Sequence, residues 1–525
     1  MQYVAGRPVR SHRRASGFPG AHIAVLFFVL MLLVSVPIWT HPVPPLSDYV
    51  NHLARMFIIA RIGTNATLAQ YYQIEWQIIP NLVMDLIVPL LGRIMNIYLA
   101  GQVFTVAAFV LIASGVMALN RALFGRWTAV PLIAMPLLYN YLFLVGVMNY
   151  IFGIGLTLWA LAGWIWLRDR PWPFRLILAT LFVVALFFCH LFAVGLFGLG
   201  LLAFEIWRFA LTPEKPLKWR LIEFVSSGVA FLPVVPLLLA SPTMGLAREI
   251  SWEPRGKLDG LVYVIELYSD IVAFVLTATL AAAATWAARR GLLRVHPFGW
   301  VLLVIGAIIY LGLPRIMFAT YMADQRLPVA LAFMLIGCID VSLQHRLVRR
   351  GFIAVLLTLV IVRVIEVNVS WANLSTTTAE FRSSVKRIKP GSKVLVAYGT
   401  SSAGDDVSDL GLVHAACLAI IERSALVTTA FTVVGKQILR VRPAYQDLVD
   451  TNDGTPPSIE KLLLTATRPP GDDEDEDSYW NLWPRRYDYL YVLFTDDEAD
   501  NPAPQYLTLV QSGTRFQLYR ITAPS

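Results

Sequence analysis

A polytopic α-helical membrane protein with a C-terminal extracytoplasmic α/β domain is what this sequence predicts, and three observations carry the prediction. First, of 525 residues 57% are hydrophobic and only 15% are charged, against roughly 25% charged in a soluble globular protein. Second, long apolar runs recur along the chain, and the short connections between them hold most of the basic residues. Third, the composition changes near residue 370, where Thr and Ser give way to short alternating segments. The 15 Trp residues agree, because Trp and Tyr collect at bilayer interfaces. A disordered chain, a disulfide scaffold and an ordinary cytosolic enzyme are excluded. The net charge of +8 is spread over short connections and forms no basic face, so no nucleic-acid partner is expected.

The elements follow in order. Residues 1–21 form a basic N-terminus holding Arg7, Arg10, Arg13 and Arg14. The apolar run 22–39 is too long for a typical signal-peptide core and no small-residue cleavage site precedes Pro42, Pro44 and Pro45, so it reads as an uncleaved first transmembrane helix. A helix needs about 20 residues to cross the hydrocarbon. Further runs that qualify begin near Tyr98, Thr128, Asn149, Phe174, Leu191, Leu221, Ile271, Phe298, Leu327 and Phe352, which makes about eleven transmembrane helices. Segment 81–93 is apolar, but as a helix it reaches only about 20 Å and is expected not to span. With a cytoplasmic N-terminus, the connections 121–126, 168–175, 208–220, 289–294 and 345–350 share one side and are all rich in Arg or Lys, as the positive-inside rule requires. The expected domains are therefore the N-terminus 1–21, a membrane module 22–370 with its first outer loop at 41–96, and an extracytoplasmic α/β domain 371–525.

In that last domain Lys393–Tyr398, 487–494 and Phe516–Ile521 read as strands and 407–422 as a helix. The acidic run 472–477 reads as a solvated loop; it lacks the Gly and final Glu of a calcium loop. Residues 399–404, rich in Gly and Ser, read as a turn. No Walker or dinucleotide-binding glycine pattern occurs, so no nucleotide cofactor is expected. The three cysteines show no metal-ligand spacing.

The first outer loop is the most informative stretch. On a helix over residues 46–57, Asp48, His52 and Arg55 fall within about 60° of one another, opposite Val50, Leu53, Ala54, Phe57 and Ala60. This is expected to be an amphipathic helix on the membrane surface that aims an acid, an imidazole and a guanidinium at one cavity, with Arg55 holding Asp48 ionised. The competing reading keeps Ser47 as a cap, Asp48 as a complement to the positive helix end, and the others as solvated residues. Elsewhere, His190 is either a satisfied buried histidine or a cavity group. Arg315 and Arg326 have the forked donors suited to phosphate, although Asp324 could pair with Arg326. Asp85 and Glu75 are further acids near the expected cavity; an acid in an apolar helix should face protein or water. Arg248, Glu249, Glu253 and Arg255 read as solvated charge.

The N-terminal crossing, the early Asp48, the short apolar helix Ile78-Ile-Pro-Asn-Leu-Val-Met-Asp85 and the long helix ending Asn120-Arg-Ala-Leu-Phe-Gly-Arg126 together resemble the GT-C superfamily of integral-membrane glycosyltransferases. That class includes protein O-mannosyltransferases and the aminoarabinose transferases of lipid A. The resemblance covers the first 130 residues best. It implies transfer of a sugar from a polyprenyl-phosphate-linked donor to a lipid, glycan or protein acceptor at the outer face of the cytoplasmic membrane. Asp48 matches the catalytic base, with His52 and Arg55 beside it. Arg326, Arg315, His190, Asn149, Asp85 and Glu75 are the candidates for substrate and phosphate. Asn149 stands where such families often place a second acid, which weakens the case for the divalent metal ion that the resemblance leaves open. A transporter or lipid-carrier translocase, or a non-catalytic envelope protein that binds polyprenyl or glycan ligands, are the alternative functions.

Overall fold

The computed structural model describes residues 18–399, 406–452, 455–466, 478–495 and 500–522. The arginines of the N-terminus, the acidic run 472–477 and most of the turn 399–404 lie outside the described residues. The chain divides into two compact units. One comprises 1–36, 106–142 and 149–366; the other comprises 37–105, 143–148 and 367–525.

Among the described residues, eight helices are long and apolar enough to cross a membrane: Gly20–Thr40, Ile97–Phe124, Met148–Trp166, Trp172–Cys189, Leu191–Leu211, Leu217–Leu239, Asp270–Arg289 and Arg346–Val385. Pro297–Gly312 and Arg326–Gly337 are shorter apolar helices. Ten of the eleven apolar runs expected from the sequence thus form helices. In the first unit their outer faces are strongly apolar: Ile271 is 76% exposed and Phe274 is 73% exposed. Such a surface is stable against lipid tails and not against water. Several buried polar groups inside this unit are paired. Trp164 donates to Glu205 at 2.8 Å, and Arg363 pairs with Glu366 at 2.7 Å while Glu366 accepts from the Ser269 amide at 2.9 Å.

The remaining run, from Thr128, is not the α-helix expected. It forms a 3₁₀ helix, Val130–Leu137, followed by a short α-helix, Tyr141–Val145. Pro131 and Pro136 remove the donors a continuous α-helix needs there and clash with the preceding turn. The segment nevertheless climbs beside the helix Ile97–Phe124. Thr128 donates to Asn120 at 2.9 Å, and the Tyr139 ring meets Phe109 at 5.2 Å between centroids. Non-helical backbone at this depth is tolerated because protein buries it on all sides: Ala129, Val130, Leu132, Ala134, Met135 and Leu138 are all buried.

The second unit is built on a five-stranded sheet. Its order is Leu507–Gly513, Phe516–Ile521, Tyr489–Leu493, Lys393–Tyr398, Leu426–Val427. Phe516–Ile521 pairs antiparallel with both of its neighbours, and Lys393–Tyr398 pairs in parallel with both of its own. Every residue of Tyr489–Leu493 is buried, the signature of a central strand covered on both faces. One cover is the end of the long helix Arg346–Val385, where Phe381 stacks on Tyr491 at 4.5 Å and Ser384 Oγ lies 2.6 Å from the Tyr491 hydroxyl. Residues 41–96 belong to this same unit. Its strand Tyr72–Ile74 pairs antiparallel with Leu439–Val441, Gln73 opposite Arg440. Segment 81–93 contains the nine-residue helix Val83–Leu91, about 14 Å long and too short to cross a bilayer.

Candidate active site

The helix that follows Asp48 starts at a fixed point. Ser47 and Asp48 donate their amides to the carbonyls of Leu144 and Val145 at 2.9 and 3.0 Å. Gly146 closes that turn with φ +87°, and a Cβ on it would lie 3.0 Å from the Asp48 amide nitrogen. Asp48 is therefore the N-cap residue of the helix Tyr49–Arg61, yet its side chain makes no capping hydrogen bond. The carboxylate sits at the positive end of the helix dipole, which favours its ionised form. It is partly exposed, and its Oδ1 lies 3.7 Å from Nε2 of His414.

His414 connects the short helices Leu410–Val413 and Ala415–Cys417, and Asn51 determines how it is protonated. The Asn51 amide is oriented by two backbone groups: Phe431 N–H donates to Oδ1 at 3.0 Å, and Nδ2 donates to the Thr429 carbonyl at 2.7 Å. The same Nδ2 lies 3.3 Å from His414 Nδ1. A nitrogen facing an amide NH₂ must present its lone pair, so the imidazole proton is on Nε2, toward Asp48. Burial pushes the His414 pKa down to about 4, and the ring is neutral at pH 7. Phe431 packs between the two imidazoles, 4.8 Å from His414 and 5.5 Å from His52. Burial also holds His52 well below the usual histidine range, with Arg55 and His414 adding to the effect.

Arg55 points elsewhere than expected. Its Nε and Nη2 donate to Asp85 Oδ1 and Oδ2 at 2.8 and 3.0 Å, and both side chains are 1% exposed. The expected Asp48–Arg55 partnership is thus replaced by a bidentate pair between two helices of the loop. Burial raises the Asp85 pKa above the carboxylate norm and outweighs the opposing guanidinium. Nor does the helix lie on a surface: residues Tyr49 to Met56 are all buried, because the helix Val83–Leu91 and residues 414–431 cover its polar side. A cavity of about 280 Å³ in this unit is lined by Pro45, Val50, Phe381, Asp409 and Arg515 among others; Asp48, His52 and Arg55 do not line it. Glu75 accepts from Gln73 at 3.0 Å and lies 3.5 Å from Arg440, beside the strand pair that joins the loop to the C-terminal residues.

The remaining candidates lie in the first unit. His190 caps the helix Leu191–Leu211, its Nδ1 accepting from the Phe192 amide at 3.1 Å. Its Nε2 lies 3.3 Å from Arg326 Nη1. A neutral imidazole has one lone pair, and here two donors converge on it. With Nδ1 accepting from the backbone, Nε2–H and the Arg326 N–H both present protons, and an oxygen that accepts from both would resolve the conflict. Tyr150 closes the cluster, its hydroxyl donating to the Arg326 carbonyl at 3.2 Å and its ring 5.6 Å from His190. Its chain neighbour Asn149 is buried. Arg315 is committed otherwise. It donates to Asp324 at 2.9 Å, and Lys257 reaches the same carboxylate at 2.8 Å. Asp324 therefore pairs with Arg315 and Lys257, and Arg326 is oriented toward His190.

No group of three or more His, Cys, Asp or Glu that could hold a metal ion occurs among the described residues. Asp48 and His414 bring one carboxylate and one imidazole together, with an amide NH₂ on the far side of the ring.

No protein-family model matches the chain, and no curated protein matches its sequence. Its fold, however, is shared with solved structures. ArnT from Cupriavidus metallidurans, solved with bound undecaprenyl phosphate, superimposes with a TM-score of 0.55 at 11% identity over 96% of this chain and 99% of that one. The same protein in its apo state gives a TM-score of 0.55 at 12% identity, over 95% and 98% of the two chains. A weaker likeness, to the mycobacterial arabinofuranosyltransferase AftD, has a TM-score of 0.46 at 15% identity and covers 97% of this chain but 40% of that one.

Sequence reasoning missed Asn51, His414 and Phe431. Asn51 and His414 are 363 residues apart, and no local pattern marks either. The one available signal was a histidine among the apolar residues of 412–418.

Proposed function

We propose that this protein is an inverting glycosyltransferase that moves a sugar from a polyprenyl-phosphate-linked donor to a hydroxyl acceptor at the extracytoplasmic face of the cytoplasmic membrane. The observation that carries the reading is the state of Asp48: an N-cap carboxylate not used in capping, partly exposed and approached by a neutral imidazole N–H. The GT-C fold and a structural neighbour solved with undecaprenyl phosphate support the lipid-linked donor.

In this mechanism Asp48 accepts the proton of the acceptor hydroxyl as that oxygen attacks the anomeric carbon. The bond from the anomeric carbon to the phosphate oxygen breaks, and the electron pair leaves with the polyprenyl phosphate. The charge gained there calls for cationic or N–H donors; by their chemistry Arg326 and His190, within the first unit, are the phosphate-binding candidates. Five basic connections of one parity support a cytoplasmic placement for those loops and an extracytoplasmic one for the C-terminal domain.

The test uses the purified protein in lipid nanodiscs. Asp48→Asn should reduce transfer from a panel of undecaprenyl-phosphate sugars by roughly 10²–10⁴-fold while undecaprenyl phosphate still binds. Arg326→Gln or His190→Ala should weaken undecaprenyl phosphate binding by about 10–100-fold, the worth of a charge-assisted hydrogen bond. Equal transfer by Asp48→Asn and the unaltered protein overturns the base assignment. Movement of intact labelled lipid across proteoliposomes with no sugar transferred would favour a translocase.

A further inference from the structure

We propose that His414, with its proton fixed on Nε2 by Asn51, is a positioning residue for Asp48: its Nε2–H is the donor that orients the carboxylate toward the acceptor hydroxyl. The proposal rests on the reading of Asp48 as the base and goes beyond it, because it brings the C-terminal residues into the reaction. The geometry gives His414 one consistent role. Asn51 cannot rotate without losing both the Phe431 amide and the Thr429 carbonyl, so it fixes the tautomer. Phe431, 4.8 Å from the ring, limits its tilt. The 3.7 Å between Nε2 and Oδ1 exceeds hydrogen-bond length by about 0.8 Å, a gap that side-chain rotation closes when an acceptor draws the carboxylate into line. Catalytic hydrogen bonds are often this loose before substrate binds.

The groups facing the imidazole are few. The helix Tyr49–Arg61 supplies Asp48, Asn51 and His52, with Arg55 beyond His52 and turned to Asp85. Residues 429–431 supply the Thr429 carbonyl and the Phe431 ring; the nearby thiol of Cys417 lies against Thr429. A neutral N–H toward a carboxylate stabilises its ionised form. Removing that donor should therefore raise the pH at which Asp48 takes up a proton.

Two substitutions separate the ring's contacts. Asn in place of His414 keeps an acceptor where Nδ1 faces Asn51 but removes the donor to Asp48. Gln places an amide N–H where Nε2 stood. The full chain in nanodiscs is treated with a carbodiimide, which adds to protonated carboxyls, across a pH series. Labelling at Asp48 is read by peptide mass spectrometry, with thermal stability measured for each variant. His414→Asn should raise the pH of half-labelling by about one unit, and His414→Gln should leave it in place. In transfer assays His414→Asn should lower kcat roughly tenfold with KM unchanged. An unmoved labelling midpoint in His414→Asn, or equal shifts in both variants, overturns the proposal. The labelling needs no sugar donor. If Asp48→Asn transfers normally the glycosyltransferase reading fails by itself, and the His414 result is still read.

Discussion

The Arg55–Asp85 pair offers the most direct check on how residues 41–96 are built. Both side chains are 1% exposed, so neither charge can be recovered by water if its partner is removed. Breaking such a pair from one side leaves an uncompensated buried charge and costs about 3–5 kcal/mol. Replacing both partners with apolar residues of similar size is often near neutral. Arg55→Met and Asp85→Leu should thus each destabilise the second unit by about 3–5 kcal/mol, and the double variant should recover most of the loss. For a unit of this size that is a fall in Tm of about 6–20 °C for each single variant. The buried cysteines supply the assay. Cys417 lies in the second unit, whereas Cys189 and Cys338 lie in the first. Reaction of a thiol reagent with Cys417 during heating, read by peptide mapping, reports unfolding of the relevant part. If Arg55 were the partner of Asp48 instead, Asp85→Leu would be tolerated and would not rescue Arg55→Met. That outcome would refute the geometry and the energetics together.

Two further outcomes are expected. Stability of the second unit should fall as pH drops from about 6.5 toward 4, because His414 titrates near 4 when folded and the unfolded state binds the extra proton throughout that window. The loss from His414 is up to about 3 kcal/mol; His52, depressed in the same direction, adds to it, and His414→Asn should flatten the profile between these pH values. Gly146→Ala should destabilise the turn under Asp48 by about 1–3 kcal/mol, since its φ is +87° and the new Cβ would press on the amides of Asp48 and Tyr49. That variant should also lose transfer more than Asp48-distant variants of equal stability. Unchanged transfer and Tm would show that the turn does not set the position of Asp48.

The legible part of this protein was the part written in local periodicity. Apolar runs gave the helices, because a membrane span must satisfy its backbone within one segment. Lys393–Tyr398 and Phe516–Ile521 were readable as strands for the same local reason. The passage from Thr128 was read as a helix on hydropathy alone, although Pro131 and Pro136 were in view and decide its geometry. The site was legible only in its first residue. Placing Asp48, His52 and Arg55 on one helical stripe was sound geometry, but a stripe says nothing of what packs against it. Asp85 comes from 30 residues away, and His414 comes from the C-terminal part of the chain. Both are tertiary contacts, and one sequence carries no period that links them.

The exchange of partners at Arg55 also bears on the chemistry. A guanidinium at hydrogen-bond distance stabilises a carboxylate's charge and so weakens it as a base. Had Arg55 paired with Asp48, the ionised acid would have gained a strong electrostatic partner at the expense of proton affinity. With Arg55 committed to Asp85 in a bidentate grip, the group facing Asp48 from the C-terminal residues is a neutral imidazole N–H. Such a donor orients a carboxylate with a smaller penalty to its basicity than a full positive charge imposes. The neutrality depends on burial under Phe431 and on the Asn51 amide. A cation introduced at this point should therefore damage the reaction more than loss of the ring. His414→Lys, if it folds, should ionise Asp48 down to lower pH in the carbodiimide assay and transfer more slowly than His414→Asn. Transfer equal to or faster than that of His414→Asn would show that the base needs charge beside it, and that its present neutral neighbour is incidental.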